Sequence, residues 1–360
     1  MRGSNLTKQL NLILFSASAL LIAGGASCDK GVEPPPPPKS PREYSWTVQE
    51  ISSPYFQVLA TDVWGSATND VYVTCLSGGT RGYKLFHFDG SQWSEVDIAQ
   101  FGSSQVSFDL NAISGFDQMD IWAVGVRWYS NPSPEPNYLD SSLVIHFNGS
   151  QWSEVSVTPK QRMLKSIGAI FPSDIWFGGL DAAVYHYDGL AVRGDSLGAL
   201  ISDKGGHNLI VGWFEGNSSG NLFAFFNDFT TGYFHFLNRS GNNWSELDSQ
   251  FATQTSLWIS PSGRLFSTFY GHGLYVWDGQ APWTPFYTEG NASVRLFGKT
   301  DNNIFVTGPQ GGLHHYNGTD WYKFKNLEST TISFIDVWTD GSEVFVIGDD
   351  GFRSYIYHGK

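Results

Sequence analysis

The chain has 360 residues with 21 basic and 34 acidic side chains, a formal net charge of −13. That acid excess argues against a nucleic-acid binder and against adsorption to anionic lipid by charge. Two cysteines exclude a disulfide framework and a cysteine-rich metal site, while 16% aromatic content, 40 glycines and only 15% charged residues suggest a β-rich domain.

In chain order, Arg2 and Lys8 open a positive amino end, and LILFSASALLIA (12–23) is an apolar run of twelve. This is the layout of a secretory signal, too short for a permanent span. GGASC follows, and its small residues ahead of Cys28 resemble the lipobox of bacterial lipoproteins, with Gly25 where leucine is commoner. The resemblance implies cleavage before Cys28 and its acylation. The alternative is an ordinary secreted chain cut near Ala26. Residues 29–43, DKGVEPPPPPKSPRE, form a Pro-rich linker. Its five consecutive prolines favour polyproline II, which at ~3.1 Å per residue makes a stiff spacer of up to about 45 Å. The expected address is a bacterial cell envelope, at the inner or outer membrane, held through the lipid.

Residues 44–360 read as one repeat array. FDGSQWSEV (88–96) returns as FNGSQWSEV (147–155), and an Asp-Gly or Asn-Gly pair after an aromatic run recurs at Asp188-Gly189, Asp278-Gly279 and Asn317-Gly318. Degenerate forms stand at Ser240-Gly241 and His358-Gly359, so the seven glycines are 59, 40, 52, 38, 39 and 41 residues apart. Each unit parses into four short strands. The first has VLATDVW (58–64), DVYVTCL (70–76), KLFHF (84–88) and QWSEV (92–96), with Cys75 as a buried small hydrophobe. The Asp-Gly and Asn-Gly pairs suit tight hairpins. Four antiparallel strands every ~40 residues describe a β-propeller blade, and seven units make a seven-bladed β-propeller, an all-β fold. The seventh unit ends without a fourth strand, and YSWTVQE (44–50) supplies it, closing the ring and removing its open edge. An eight-bladed ring is the alternative.

The DxWxVG second strand, followed by xHxxG and a tryptophan, resembles the repeats of bacterial secreted and lipid-anchored propeller proteins. In strand order and final tryptophan it is also similar to tectonin-type lectin propellers. The likeness covers essentially all of 44–360 and implies architecture, not activity.

His87, His146, His186, His235 and His315 recur in the third strand, aligned with Val276 and Ile356 in units five and seven. A position that accepts Val and Ile reads as packing rather than metal ligation. No H-E-x-x-H, Walker or EF-hand motif is present, and no catalytic residue, metal or cofactor is expected. The candidate ligand face is instead the one carrying the loops between strands two and three. There the longest loop, VRWYSNPSPEPNYLDSS (126–142), raises Arg127, Trp128, Tyr129, Glu135, Tyr138 and Asp140. They stand beside Arg81, Asp181, Asp228, His272, Asp349, Asp350 and Arg353 on neighbouring loops. Aromatic rings with carboxylates suit sugar or peptide recognition, although Asp349-Asp350 also reads as a plain hairpin turn. The expected function is a monomeric, lipid-anchored, non-enzymatic binding or scaffold module for a protein or glycan. A glycan hydrolase or lyase and a tectonin-like lectin are the alternatives.

Overall fold

The computed structural model describes residues 39–360 apart from 131–137, 159–161, 196, 198–208, 217–219, 230–231, 233, 242, 249–253, 270, 280–281 and 289–293. The lipobox, Cys28 and the proline run fall outside the described residues. From Lys39 to Lys360 the chain is one compact unit.

Seven antiparallel sheets of four consecutive strands form the blades. The innermost strands are Val58–Ala67, Val106–Asp117, Leu164–Phe171, Leu209–Gly216, Gln254–Ile259, Arg295–Thr300 and Ser333–Thr339, which open blades one to seven. In blade seven the outermost strand comes from the other end of the chain. Trp46–Ile51 pairs antiparallel with Ser354–Gly359, in register from Trp46 opposite Gly359 to Ile51 opposite Ser354. The ring is therefore closed as the repeat count requires. Blade three differs from the four-strand expectation. A two-residue strand, Val157–Thr158, adds to it in parallel with Val192–Gly194. That outer strand lacks the usual tryptophan.

The blades adhere through seven hydrophobic clusters, one between each neighbouring pair. Strands buried on both faces by such packing read as nearly continuous apolar runs. The second strands show this: Asp70–Ser77 is buried at five consecutive positions from Val71 to Cys75. Bulky rings meet glycines across these seams. A Cβ on Gly65 would lie 2.9 Å from the Trp338 ring, and one on Gly115 would lie 2.9 Å from that of Trp64.

The recurrent Asp-Gly turn has a local cause. The Asp89 carboxylate accepts the N–H groups of Ser91 and Gln92 at 2.8 and 2.9 Å. Gly90 takes φ +91°, a region that favours glycine. Asn148, Asp188 and Asn317 repeat the arrangement.

The recurrent histidines prove to be structural, with two changes of alignment. Nε2 of His87, His146 and His186 bonds Asp70, Asp120 and Asp174 at 2.7, 2.8 and 2.7 Å. Each ring also stacks on the aromatic residue opposite it, Tyr72, Trp122 or Trp176. In blade seven the same place belongs to His358, stacked on Phe345 at 4.1 Å and bonded to Glu343, not to Ile356. His235 is out of register as well. It faces Phe226 and bonds Glu246 at 2.7 Å, while Asn238 occupies the aligned site opposite Phe223.

Deleting residues 44–52 from the full chain would expose Ser354–Gly359 as a free sheet edge. We expect the thermal midpoint, followed by circular dichroism, to fall by at least about 10 °C, with self-association. An unchanged midpoint would count against ring closure by this strand.

Candidate functional site

The loops between strands two and three do share a face with the interblade connections. Backbone bonds join the two sets: Val58 N–H to Phe352 O at 3.1 Å, Ala182 N–H to Leu209 O at 3.1 Å and Gly311 N–H to Ile332 O at 2.7 Å. On this face much of segment 126–142 is not loop. The second and third strands of blade two run on to Ser130 and restart at Tyr138, with Trp128 opposite Asp140 and Ser130 opposite Tyr138. Glu135 lies outside the described residues.

Several of the expected ligand-binding side chains are held in internal contacts. Arg127 makes two bonds to the Glu154 carboxylate, at 2.6 and 2.7 Å, and a third to Phe101 O. The Trp128 indole N–H donates to Asp109 at 3.0 Å. Asp109 also receives Lys84, a residue only 1% exposed, at 2.7 Å, so blades one and two are clasped at this point. Arg162 reaches both Asp140 and Asp181, at 3.2 and 3.0 Å. The Tyr129 hydroxyl lies 3.5 Å from Ser141 Oγ. Asp228 is buried, and its carbonyl accepts Gly232 N–H. Asp349 and Asp350 cap a turn: Asp349 accepts Gly351 N–H, and Asp350 accepts Phe352 and Arg353 N–H. Arg353 stands 3.6 Å from Glu50. Arg81 and His272 are exposed.

A second constellation lies on the axis. It lies apart from the loop residues expected to carry the ligand. In six of the seven innermost strands the pairing slips by one residue near the start: at Thr61, Asn111, Lys165, Gly212, Thr255 and Ile335. Such a bulge re-aims side chains. From this register the channel wall divides into three levels. The bulged residues form the mouth, and a cavity of about 360 Å³ there is lined by Thr61, Asn111, Lys165, Trp213, Arg295 and Ile335, among others. The middle level holds Asp62, Ser166, Trp213, Ser256, Arg295 and Asp336. The floor has Trp64, Glu215, Trp258, Phe297 and Trp338. A cavity of about 130 Å³ spans these two levels.

Charged groups in this channel are strongly perturbed. Arg295 stacks on the Trp213 ring with its Cζ 3.9 Å from the centroid, donates to Thr255 O at 2.8 Å and stands 4.0 Å from Asp336. Burial, and next the adjacent Asp336 carboxylate, holds the Asp62 carboxyl well above the usual range. Burial pushes Glu215 up to about 8. Desolvation and the neighbouring Arg295 charge pull the Lys165 amine below its ordinary value. Among the described residues, no group of three or more His, Cys, Asp or Glu could hold a metal ion. A signal for this site did exist in the sequence. Single charges interrupt otherwise apolar first strands in LATDVW, LKSIGA, GWFEG, VRLFG and FIDVW.

No family model and no curated protein matches this sequence. Solved structures do match in fold. A structure of YCF48 bound to D1 peptide is 15% identical, with a TM-score of 0.61, covering 87% of this chain and 96% of that one. YCF48 from Cyanidioschyzon merolae is 14% identical, with a TM-score of 0.58 and coverage of 86% and 98%. A catalytically inactive virginiamycin B lyase from Staphylococcus aureus with quinupristin is 10% identical, with a TM-score of 0.59 and coverage of 87% and 99%. At these identities the likeness establishes the propeller fold alone.

The Glu215 shift makes a stability prediction. A carboxyl whose folded pKa lies above its unfolded value binds an extra proton when folded, so stability falls as pH rises from about 4.5 to about 8. Glu215→Gln should flatten that slope by one proton and gain on the order of 3 kcal/mol at pH 7 relative to the parent, compared with their difference at pH 4.5. Urea melts across this range would show it; parallel slopes would contradict a buried, protonated Glu215.

Proposed function

We propose that this chain is a lipid-anchored, non-enzymatic binding propeller of a bacterial cell envelope that holds a segment of a protein partner. The partner sits on the face where the axial mouth opens. The observation that carries this reading is the chemistry of that mouth. Lys165, Asn111 and Arg295 supply donors, and Trp213 a flat apolar wall, around a cavity of about 360 Å³. A peptide segment offers the matching acceptors and side chains. The extended hairpin of blade two and the exposed Arg81 and Arg353 widen the landing area on the same face. Recognition of a peptide occurs on this fold in YCF48 bound to D1 peptide. The sequence features ahead of residue 44, a signal, Cys28 and a Pro-rich spacer, support tethering.

The second reading, a glycan hydrolase or lyase, is favoured by one observation: the raised acids of the channel. Their oxygens are largely committed, however. Asp62 accepts the N–H groups of Val63 and Ile113, Asp336 those of Val337 and Val63, and Glu215 that of Ile259. A carboxylate that caps a neighbouring strand is poorly free to carry a proton to substrate.

Two measurements test the binding reading. Cys28→Ser should abolish incorporation of a labelled fatty acid and shift the protein out of the membrane fraction; retained labelling rules out the anchor. Photo-crosslinkers placed at Arg81, Asp181 or Arg353 should trap one partner in cells, while the same probe at Asn302 or Asp340, in turns between first and second strands, should not. Equal trapping from both sets, or saturable turnover of a polysaccharide that is lost in Glu215→Gln, would overturn it.

A further inference from the structure

The axial channel gathers ionisable side chains from five blades. Five ionisable side chains line it: Asp62, Lys165, Glu215, Arg295 and Asp336, from blades one, three, four, six and seven. The corresponding positions of blades two and five are neutral, Asn111 and Ala112 in one and Thr255 and Ser256 in the other. Burial, with Asp336 adjacent, raises the Asp62 carboxyl, and burial pushes Glu215 up to about 8. Lys165 and Arg295 are the two basic groups of this set. Two donors of the wall have no acceptor among the described residues. Asp336 stands 4.0 Å from Arg295, beyond hydrogen-bond reach, and Arg295 Nε is buried without an acceptor among the described residues. Ser166, beside Lys165 and 4% exposed, likewise has a hydroxyl with no partner among the described residues. The protein as a whole is acidic, so its overall field does not concentrate anions here.

We propose that the channel mouth is a site for one carboxylate group, held by Lys165 and the Nε edge of Arg295. The group lies alongside Trp213 with Ser166 as an additional donor. The proposal rests on the binding reading above and deepens it by giving the ligand a chemistry. A carboxylate fits better than a dianion such as phosphate, because the Asp336 carboxylate stands behind the site, 4.0 Å from Arg295. Arg295 already faces the mouth with its guanidinium braced, by stacking on Trp213 and by its bond to Thr255 O. Little side-chain freedom is therefore lost on binding. The cavity is of a size for one residue or a small acid, so the carboxylate belongs either to a free small acid or to the end of a peptide chain.

The test uses the full chain in detergent and calorimetric titration at constant ionic strength. The probes are acetate, lactate, inorganic phosphate, and an alanine-rich hexapeptide with either a free or an amidated carboxyl end. At least one carboxylate probe should bind saturably, at least tenfold tighter than phosphate. Lys165→Met should weaken it by at least tenfold, and Lys165→Arg should restore most of the loss. Because Lys165 is exposed at the mouth, the substitution should not disturb folding, which the thermal midpoint checks. A free-ended peptide that outcompetes both its amide and acetate identifies a chain end; small acids binding as tightly as the peptide identify a free acid. No carboxylate binding below about 10 mM, or binding that Lys165→Met leaves unchanged, overturns the proposal. In that case, partner trapping that persists at Arg81 or Arg353 would leave the binding reading standing. Loss of that trapping with carboxylate binding intact would fell the reading alone.

Discussion

The first strand of every blade is a sheet edge turned toward the axis, and the polar backbone on that edge needs partners. Neighbouring blades supply many of them by side chain. Asp336 of blade seven accepts Val63 N–H, Asp62 accepts Ile113 N–H, and Glu215 accepts Ile259 N–H. Carbonyls are served in the same way: Thr61 donates to Leu110 O, and Asn111 to Leu164 O. Arg295 reaches back to Thr255 O. The ring thus holds together at its centre through side chains that would be out of place in an apolar core. Closure by Trp46–Ile51 matters for the same reason, since it lets blade seven stand as a complete sheet between blades six and one.

That constraint explains the chemistry of the channel. Carboxylates recruited to cap N–H groups are drawn out of water, and desolvation then favours their protonated forms. Asp62 and Glu215 are both raised in this way, in the channel that also holds Lys165 and Arg295. A structural requirement for acceptors thereby sets carboxyls deeper in the channel, while the basic groups Lys165 and Arg295 line its mouth. The bulge near the start of most innermost strands adds the geometric part, since it lets two successive levels of side chains face the axis.

The outer face follows a different economy. Its most conspicuous side chains are committed to holding the extended strands of blade two: Arg127 on Glu154, Trp128 on Asp109, and Asp140 on Arg162. Lys84, 1% exposed and paired with Asp109, ties that blade to its predecessor. These contacts tie the described part of blade two's long strands to one another and to the neighbouring blades. Ligand chemistry falls to the exposed groups around it and to the mouth.

Much of the architecture was legible because it is written in local, repeated physics. Asp89-Gly90 and its relatives announce a hairpin through a carboxylate that caps two N–H groups and a glycine with positive φ. The absent fourth strand after Ser354–Gly359 pointed to Trp46–Ile51 by its tryptophan and alternation alone. The site was less legible. Arg127 and Trp128 looked available in the sequence because their partners, Glu154 and Asp109, lie 27 and 19 residues away across strand pairings. Asp62, Lys165, Glu215, Arg295 and Asp336 each appear once, in different repeats, as isolated charges in apolar strands. Only ring closure brings residues spread over 274 positions, from Asp62 to Asp336, into one channel. Repeat periodicity determines how each blade folds; which unrepeated side chains meet on the axis is decided by tertiary structure, because a circular array converts sequence separation into adjacency.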